Sequence, residues 1–507
     1  MIRPLALVSA GTLGSRLSGF VRDALIAALF GAGHAADAFL FAFQFINVAR
    51  RFLSEGALNA ALVPAYLRIR NEQGESAAAS FAGRALGMIG VTLVVAAALI
   101  GLAAPYAIAA LAPGLLSQPA FQLAVDTARL MLPYLAFVGP VAVVAAALNA
   151  EGRVALTAFS PVLFNLAMIA AVVAMLVVNR SNTERAALML AAMVGIAGCL
   201  QLVFLGLSGT RHARPVRIAF DPEIRTLLCR ALPGMIAQSG PQLLLVAGVV
   251  VASATPAAVA WIYFASRLVE LPLGLVGTAT GTVLIPRLSG AMNEDATSVA
   301  AESSLAVQLT FGLALPAAVG LAMLADPIVA LLFQHGAFTA NDRQATALAL
   351  TLLAASLPAL ALTKPLGAVF FAREQMRHPV LATLFGLAAT VGAAVLAQPR
   401  YGHAGVAAAI SLGAWVTAIW LSVVLRATRD AVMNAAGWRN LALIVLASAI
   451  MGAAIAATVR LAPIAEAGSF LTRTAALMTL IALGVFVYAT CLRLSGVVRF
   501  RAIRQAL

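Results

Sequence analysis

Charged side chains stand inside the first hydrophobic stretch of the sequence, where a charge is costly. The segment SRLSGFVRDALIAALFGAG carries Arg16, Arg22 and Asp23. A charge at the centre of a membrane helix costs about 2.5–3.5 kcal/mol on insertion scales. Side chains kept at that cost have to face one another or a hydrated cavity, which makes them candidates for function.

The second hydrophobic stretch, FAFQFINVARRFLSEGALNAALVP, carries a polar stripe. Its polar residues recur at spacings of three and four, and they are Gln44, Asn47, Arg51, Glu55 and Asn59. At about 100° per residue they fall within about 120° of a helix surface, with Arg50 just off the edge. On a membrane helix such a stripe is expected to line a hydrated cavity.

Local pairing is the alternative use of these charges. The predicted membrane helices hold seven bases, namely Arg16, Arg22, Arg50, Arg51, Arg129, Arg267 and Lys364. Four acids are spaced for ion pairs, as Arg16–Asp23, Arg51–Glu55, Asp126–Arg129 and Arg267–Glu270. Pairing therefore leaves three bases over. Because the planar fork of arginine stays charged and binds phosphate bidentately, the sequence predicts a cationic cavity for a phosphorylated or otherwise anionic substrate.

The elements that must position these residues are membrane helices. Of the 507 residues, 62% are hydrophobic and 10% are charged, whereas a soluble domain has about 25% charged residues. Apolar runs long enough to cross roughly 30 Å of hydrocarbon recur along the whole chain. The sequence predicts an all-α polytopic membrane protein with about fourteen transmembrane helices. The first helix is expected to be retained, since no cleavage site precedes Arg16.

Catalytic and metal-binding signatures are not recognisable in the sequence. Cys199, Cys229 and Cys491 are scattered, and no DxD, GxSxG, HExxH or P-loop motif occurs. We therefore expect no metal, no cofactor and no enzymatic activity. A membrane glycosyltransferase is disfavoured on that ground, and a scaffold has no need of buried arginines.

The net charge of +14 is mostly a topology signal. Twenty basic residues fall on the side of both termini and six in the opposite loops. The positive-inside rule then places both termini in the cytoplasm, and no nucleic-acid partner is needed to explain the charge.

Two pairs of segments indicate an internal repeat. FINVARRFLSEG and WIYFASRLVELP align Arg51 with Arg267, and LNAEGRVALTAFSP aligns with FFAREQMRHP. The repeat predicts two pseudo-symmetric six-helix lobes, residues 1–215 and 216–430, followed by two C-terminal helices in 431–507. Transporters commonly bind substrate between such repeats, so the lobes are expected to enclose a central cavity.

Several segments closely resemble the MurJ (MviN) family of lipid II flippases, in the multidrug/oligosaccharidyl-lipid/polysaccharide (MOP) exporter superfamily. They are SRLSGFVRDALIAALFGAG, DAFLFAF, NVARRFLSEGALNAALVP, ALNAEGR, SPVLFNL, YFASRLVELPLGLVG, FQHGAFTANDRQATALAL and VFFAREQMRHPV. In the family's order they run from Ser15 to Val380, and so cover most of the chain.

The resemblance implies both a fold and a function. The fold is fourteen helices, with the last two forming a groove for a lipid tail. The function is export of lipid II, undecaprenyl-pyrophosphate-linked MurNAc-pentapeptide-GlcNAc, across the bacterial inner membrane for peptidoglycan synthesis, cell wall biogenesis and cell shape. Alternating access is the expected mechanism, with lipid II and membrane lipids as partners and a coupling ion as a further candidate. An exporter of another polyprenyl-pyrophosphate-linked oligosaccharide is the alternative.

The family's required cavity arginines fall on Arg16, Arg22, Arg50 and Arg267. The polar stripe favours Arg51, whereas the resemblance favours Arg50, and both are therefore candidates. The full expected substrate-binding set is Arg16, Arg22, Arg50, Arg51, Arg267 and Asn47. The expected supporting set is Asp23, Asp37, Glu55, Gln44, Glu270 and Lys364. Some relatives carry Lys at position 44 and Asp at position 266, where this chain has Gln44 and Ser266.

Overall fold

The computed structural model describes residues 2–54, 57–116, 118, 120–178, 183–209, 213–229, 239–280, 296–373, 375–427, 433, 435–461 and 469–496. Within these ranges the regular structure is helical throughout. The chain forms two compact units. The first comprises Met1–Ala260 with His335–Thr339, and the second Trp261–Gln334 with Ala340–Leu507.

Besides a 3-10 turn at Pro113–Leu115 and the short helical stretch 222–229, the first unit contains nine labelled α-helices. They are α1 (Ile2–Phe30), α2 (His34–Ser54), α3 (Ala57–Gln73), α4 (Glu75–Leu111), α5 (Ala120–Met131), α6 (Pro133–Ala150), α7 (Val154–Val178), α8 (Thr183–Gly209) and α9 (Gly240–Ala252). Helix α10 (Ala258–Ala279) begins at the end of this unit and continues into the second.

The second unit contains seven further α-helices among the described residues. They are α11 (Ala296–Met323), α12 (Ala325–Phe333), α13 (Ala340–Ala354), α14 (Leu357–Ala372), α15 (Arg377–Ala427), α16 (Ala435–Leu461) and α17 (Phe470–Leu494). Helix α15 has 51 residues and is interrupted by the non-helical backbone of Gly402. It therefore covers two of the membrane helices expected from the sequence.

Ten helical spans among the described residues are long and apolar enough to cross a membrane. Two of them join neighbouring helices, with α5 and α6 in one span and α13 and α14 in another. These spans confirm the all-helical membrane fold class, while the total of fourteen stays a prediction. The lobe limits also stay a prediction, and the first compact unit continues past residue 215 to Ala260.

Helix packing in the first unit determines where the charged residues of α1 and α2 lie. Helix α1 packs along α7, α2 packs on α5, and α6 packs on both α4 and α8. Apolar side chains such as Leu62, Phe81 and Val143 fill the core between α3, α4 and α6. Since apolar residues supply this packing, a charged group on an inward face has to find its partner within the unit.

Candidate functional site

Arg22 is the most deeply buried of the predicted cavity arginines, with 5% of its surface exposed. Its Nε and Nη2 atoms donate to Oδ1 of Asp23 at 3.0 and 2.7 Å. Its Nη1 donates to Oδ1 of Asn165 at 2.9 Å. The guanidinium carbon also lies 5.0 Å from the centre of the Phe43 ring, which places a cation over an aromatic face.

Asn165 on α7 is a site residue that the sequence analysis did not single out. Its Nδ2 donates to the backbone carbonyl of Ser15 at 2.9 Å and to the Ser18 hydroxyl at 3.1 Å. These two bonds fix the orientation of the amide, so its oxygen points at Arg22. A lone asparagine in an apolar run has no local pattern, and its only signal was membership in the segment SPVLFNL.

Arg16 does not form the ion pair expected from its spacing to Asp23. Asp23, with 2% of its surface exposed, pairs with the adjacent Arg22. The side chain of Arg22 is long enough to reach the carboxylate of Asp23, its neighbour in sequence. Arg16 and Asp23 therefore do not pair, although they lie on the same face of the helix. Within the described residues Arg16 is half-buried and has no side-chain hydrogen bond or ion pair.

The polar stripe on α2 is partly described. Gln44 and Asn47 are buried with 6% exposure each, and Arg50 and Arg51 are half-buried. The Nδ2 atom of Asn47 is buried without a hydrogen-bond partner among the described residues, which is a costly state for an amide. Glu55 and the side chain of Asn59 lie outside the described residues, so the Arg51–Glu55 pair stays a prediction.

Asp37, at the start of α2, holds the beginning of α10. Its carboxylate accepts hydrogen bonds from the backbone N–H groups of Ala257 at 2.6 Å and Ala260 at 2.9 Å. The first N–H groups of a helix have no partner within the helix, and a carboxylate there also meets the positive end of the helix dipole. Asp37, which is 1% exposed, is therefore an N-terminal cap for the helix that carries Arg267.

Arg267 on α10 forms the ion pair expected from the sequence. Its Nη1 lies 2.6 Å from Oε2 of Glu270, and its Nη2 donates to the Tyr263 hydroxyl at 3.0 Å. The guanidinium carbon is 4.9 Å from the centre of the Tyr263 ring. Arg22 and Arg267 thus have the same set of neighbours, a nearby acid and an aromatic face.

Lys364, the only lysine in the sequence, is exposed on α14 and lies against α10. A Cβ atom built on Gly277 would lie 2.2 Å from its Nζ. The absence of a side chain at Gly277 therefore makes the space that the ammonium group occupies.

The proposed pairing of Asp126 with Arg129 is wrong. Arg129 is exposed, and its Nε donates to the carbonyl of Gly101 at 3.0 Å. Asp126 accepts from the amide of Gln122 at 3.1 Å. Their spacing permits a pair, but both side chains have closer alternatives at the helix surface. Neither residue belongs with the buried charges.

The charge balance of the remaining candidates is still cationic. Six bases stay after Arg129 is removed, and they are Arg16, Arg22, Arg50, Arg51, Arg267 and Lys364. Four acids accompany them once Asp37 is included, and they are Asp23, Asp37, Glu55 and Glu270. No group of three or more His, Cys, Asp or Glu suited to a metal ion occurs among the described residues. The chemistry these side chains offer is recognition of an anion.

The fold is similar to that of solved transporters. A lipid II flippase MurJ in an inward closed conformation matches with a TM-score of 0.78 at 21% identity, over 96% of this chain and 98% of that one. An inward-facing multidrug resistance MATE family transporter of the MOP superfamily matches with a TM-score of 0.67 at 17% identity, over 82% and 94%. The chain therefore has the fold of a MOP-type transporter.

Comparison with known sequences identifies the family to which this chain belongs. The family model described as lipid II flippase MurJ matches residues 26–477. The probable lipid II flippase MurJ of Rhizobium tropici is 33% identical over all of this chain and 96% of its own length. The lipid II flippase MurJ of Burkholderia cenocepacia is 34% identical over 86% of each chain. The chain belongs to the lipid II flippase MurJ family, whose members are transporters and not enzymes.

Proposed function

We propose that this protein flips lipid II from the cytoplasmic to the periplasmic leaflet by alternating access. Membership in the MurJ family supports this substrate, since relatives named as lipid II flippases match the chain over most of its length. The observation that carries the proposal is the buried guanidinium of Arg22 in an apolar helical unit.

The hydrogen bonds of Arg22 leave it able to take a phosphate. A guanidinium has five N–H groups, and Asp23 and Asn165 accept from three of them. One N–H on each terminal nitrogen is left for a guest, which suits the bidentate geometry of arginine and phosphate. In the proposed mechanism Arg22 binds the pyrophosphate of lipid II while Asp23 and Asn165 hold the guanidinium in place.

The other arginines are proposed to act on the same substrate. Arg16 is half-buried, and its side chain has no described partner to displace. Arg50 and Arg51 add charge from α2, and Arg267 adds charge from α10. Because a pyrophosphate carries more than one negative charge, several cations are needed to offset the loss of its hydration.

Orientation follows from the distribution of basic residues. We place both termini in the cytoplasm, because the loops on that side hold most of the arginines outside the helices. The lipid tail stays in hydrocarbon, in a groove formed by α16 and α17 in the proposed scheme. An inside-negative potential favours outward movement of an anionic headgroup by about 2.3 kcal/mol per charge per 100 mV.

The test is transport in cells and in vesicles. Cells depleted of their own flippase are complemented with variants of this protein, and lipid II reaching the outer leaflet is measured by its accessibility to an external enzyme. We expect Arg22→Ala and Arg267→Ala to lose transport at normal protein levels. Arg129→Ala is the matched control, since that arginine is exposed and outside the buried set.

Two outcomes would overturn the proposal. Transport by stably expressed Arg22→Ala and Arg267→Ala would remove the arginines from the mechanism. The second outcome is that purified protein in vesicles moves a different polyprenyl-pyrophosphate-linked oligosaccharide but not lipid II. That result would show that lipid II is not the substrate, while the role of the arginines would stand.

A further inference from the structure

The chain between α8 and α9 carries an exposed apolar and basic segment in residues 214–220. Val216, Ile218 and Phe220 have 55%, 67% and 62% of their surface exposed. Arg214 and Arg217 in the same segment are also exposed. Large apolar side chains exposed beside arginines are typical of polypeptide that lies at a membrane surface.

The segment is firmly attached at its base. Ile224 and Leu227 in the helical residues 222–229 are buried in the core of the first unit, beside Phe81 and Ala85. The carboxylate of Asp221 accepts from the N–H of Ile224 at 2.9 Å, which caps this helical stretch. The exposed residues therefore project from an ordered support.

Ion pairs attach the same base to α4. The Nε atom of Arg84 lies 2.7 Å from Asp221, and its Nη2 lies 2.5 Å from Glu223. These two acids are the only ones in residues 213–229, and Arg84 pairs with both while offsetting one of their two negative charges. With the exposed Arg214, Arg217 and Arg225, this base and segment together with Arg84 keep a net positive charge, four bases against two acids.

Close contact with α4 fixes the depth of the segment. A Cβ atom on Gly83 would lie 2.2 Å from the carbonyl oxygen of Pro215, and one on Gly87 would lie 2.4 Å from that of Arg217. The segment therefore runs along α4 in the direction of Val91, where the exposed apolar face of α4 begins. At 1.5 Å per residue, Gly87 lies about 6 Å outside that start, at the depth of lipid headgroups, and Gly83 about 12 Å outside it, just beyond them.

We propose that residues 214–220 bind anionic phospholipids of the leaflet that surrounds the first residues of α4. Ile218 and Phe220 insert among the acyl chains, and Arg214, Arg217 and Arg225 bind headgroup phosphates. Charge complementarity selects an anionic lipid, since each arginine near such a surface contributes about 1 kcal/mol, or roughly a fivefold preference. This binding site is separate from the arginines proposed to bind lipid II.

The experiment uses the full-length protein in phosphatidylcholine nanodiscs with a Phe220→Trp substitution. Brominated acyl chains, which quench tryptophan, are introduced on phosphatidylglycerol or on phosphatidylcholine at equal mole fraction. The unsubstituted protein gives the background of Trp261, Trp415, Trp420 and Trp438. We expect stronger quenching of the new tryptophan by brominated phosphatidylglycerol. Raising the ionic strength from about 0.1 to about 1 M, which shortens the Debye length from ~10 to ~3 Å, should weaken this preference.

Charge variants test whether the arginines make the selection. In the Phe220→Trp background, changing Arg214, Arg217 and Arg225 to Gln should abolish the preference and leave the quenching by brominated phosphatidylcholine. Changing the exposed Arg400 and Arg460 to Gln is the control, which should leave the preference intact.

Three results would overturn the proposal. Absence of quenching by either lipid would show that the segment does not reach the bilayer. Equal quenching by both lipids, unaffected by salt, would show that no headgroup is recognised. A preference that appears only after lipid II is added would make the substrate, and not the surrounding phospholipid, the occupant.

Discussion

The carboxylate of Asp37 caps the helix that begins near Ala260. It accepts from the N–H of Ala260 at 2.9 Å and from that of Ala257 at 2.6 Å. Ala257 has a φ of 68°, which is uncommon for a residue with a side chain. A buried acid, a strained residue and the start of the Arg267 helix therefore lie at one place in the fold.

Removing this cap should destabilise the protein. We expect Asp37→Ala to lower the free energy of unfolding by about 2–4 kcal/mol, because one buried and one partly buried N–H group lose a charged acceptor. Asp37→Asn should cost less, since asparagine is also a good cap. Thermal unfolding of the purified protein in detergent measures both. Asp326→Ala is the control, because that acid is half-exposed and its pair with Arg343 contributes about 0–1 kcal/mol.

A substitution at Ala257 should change the stability in the opposite direction. Ala257→Gly should raise the stability by roughly 0.5–1 kcal/mol, because glycine adopts a positive φ without a clash of Cβ. A loss of stability in Ala257→Gly, or equal stability of Asp37→Ala and the native protein, would contradict the assignment of this cap.

Asn165 should affect transport through Arg22. Asn165→Ala removes an acceptor worth about 1.5–3 kcal/mol, so we expect transport to fall by roughly 10–100-fold. Asn165→Asp keeps a hydrogen bond to Arg22 but adds a second carboxylate, so it should lose transport with little loss of thermal stability. Lipid II externalisation and thermal unfolding are measured together for both variants.

Asn440→Ala is the matched control for Asn165. That amide also donates to a distant side chain, Gln308, at 2.8 Å, but has no arginine partner. Full transport by Asn165→Asp, or a parallel loss of transport and stability in both asparagine positions, would show that Asn165 has only a packing role.

Spacing identified the charged residues well, but it did not decide their partners. The pair Arg267–Glu270 was predicted correctly, whereas Asp126 and Arg129 have the same spacing and do not pair. Spacing along a helix shows only whether two side chains are within reach of each other. Burial decides whether they form an ion pair, because exposed charged groups can bind water or backbone carbonyls instead.

Contacts that are distant in sequence could not be predicted. Asn165 meets Arg22 across 143 positions, and Asp37 meets Ala257 across 220. Neither separation leaves a periodic signal in one sequence, and a backbone N–H donor leaves no signal in residue types. The helical class was predictable for the opposite reason, since each membrane helix satisfies its backbone locally and shows in composition alone.

The Arg267–Glu270 pair allows structure and substrate binding to be separated. Arg267→Gln and Glu270→Gln should each lower stability by about 1 kcal/mol, because the pair is partly exposed. The double variant should recover most of that stability, since no unpaired charge is left. Transport should still be lost in the double variant if Arg267 binds the substrate. Recovery of transport together with stability would assign the pair a structural role only.

Gly277→Ala should reproduce the effect of removing Lys364. The added Cβ would lie 2.2 Å from Nζ of Lys364, so the flexible lysine must move while α10 keeps its position. We expect transport by Gly277→Ala to change in the same direction as in Lys364→Met, without further change in the double variant. Stability should rise by up to about 1 kcal/mol, because alanine favours a helix over glycine. Gly320→Ala, which has nothing within 4 Å, is the control and should leave transport unchanged. Additive losses in the double variant would mean that Gly277 acts independently of Lys364.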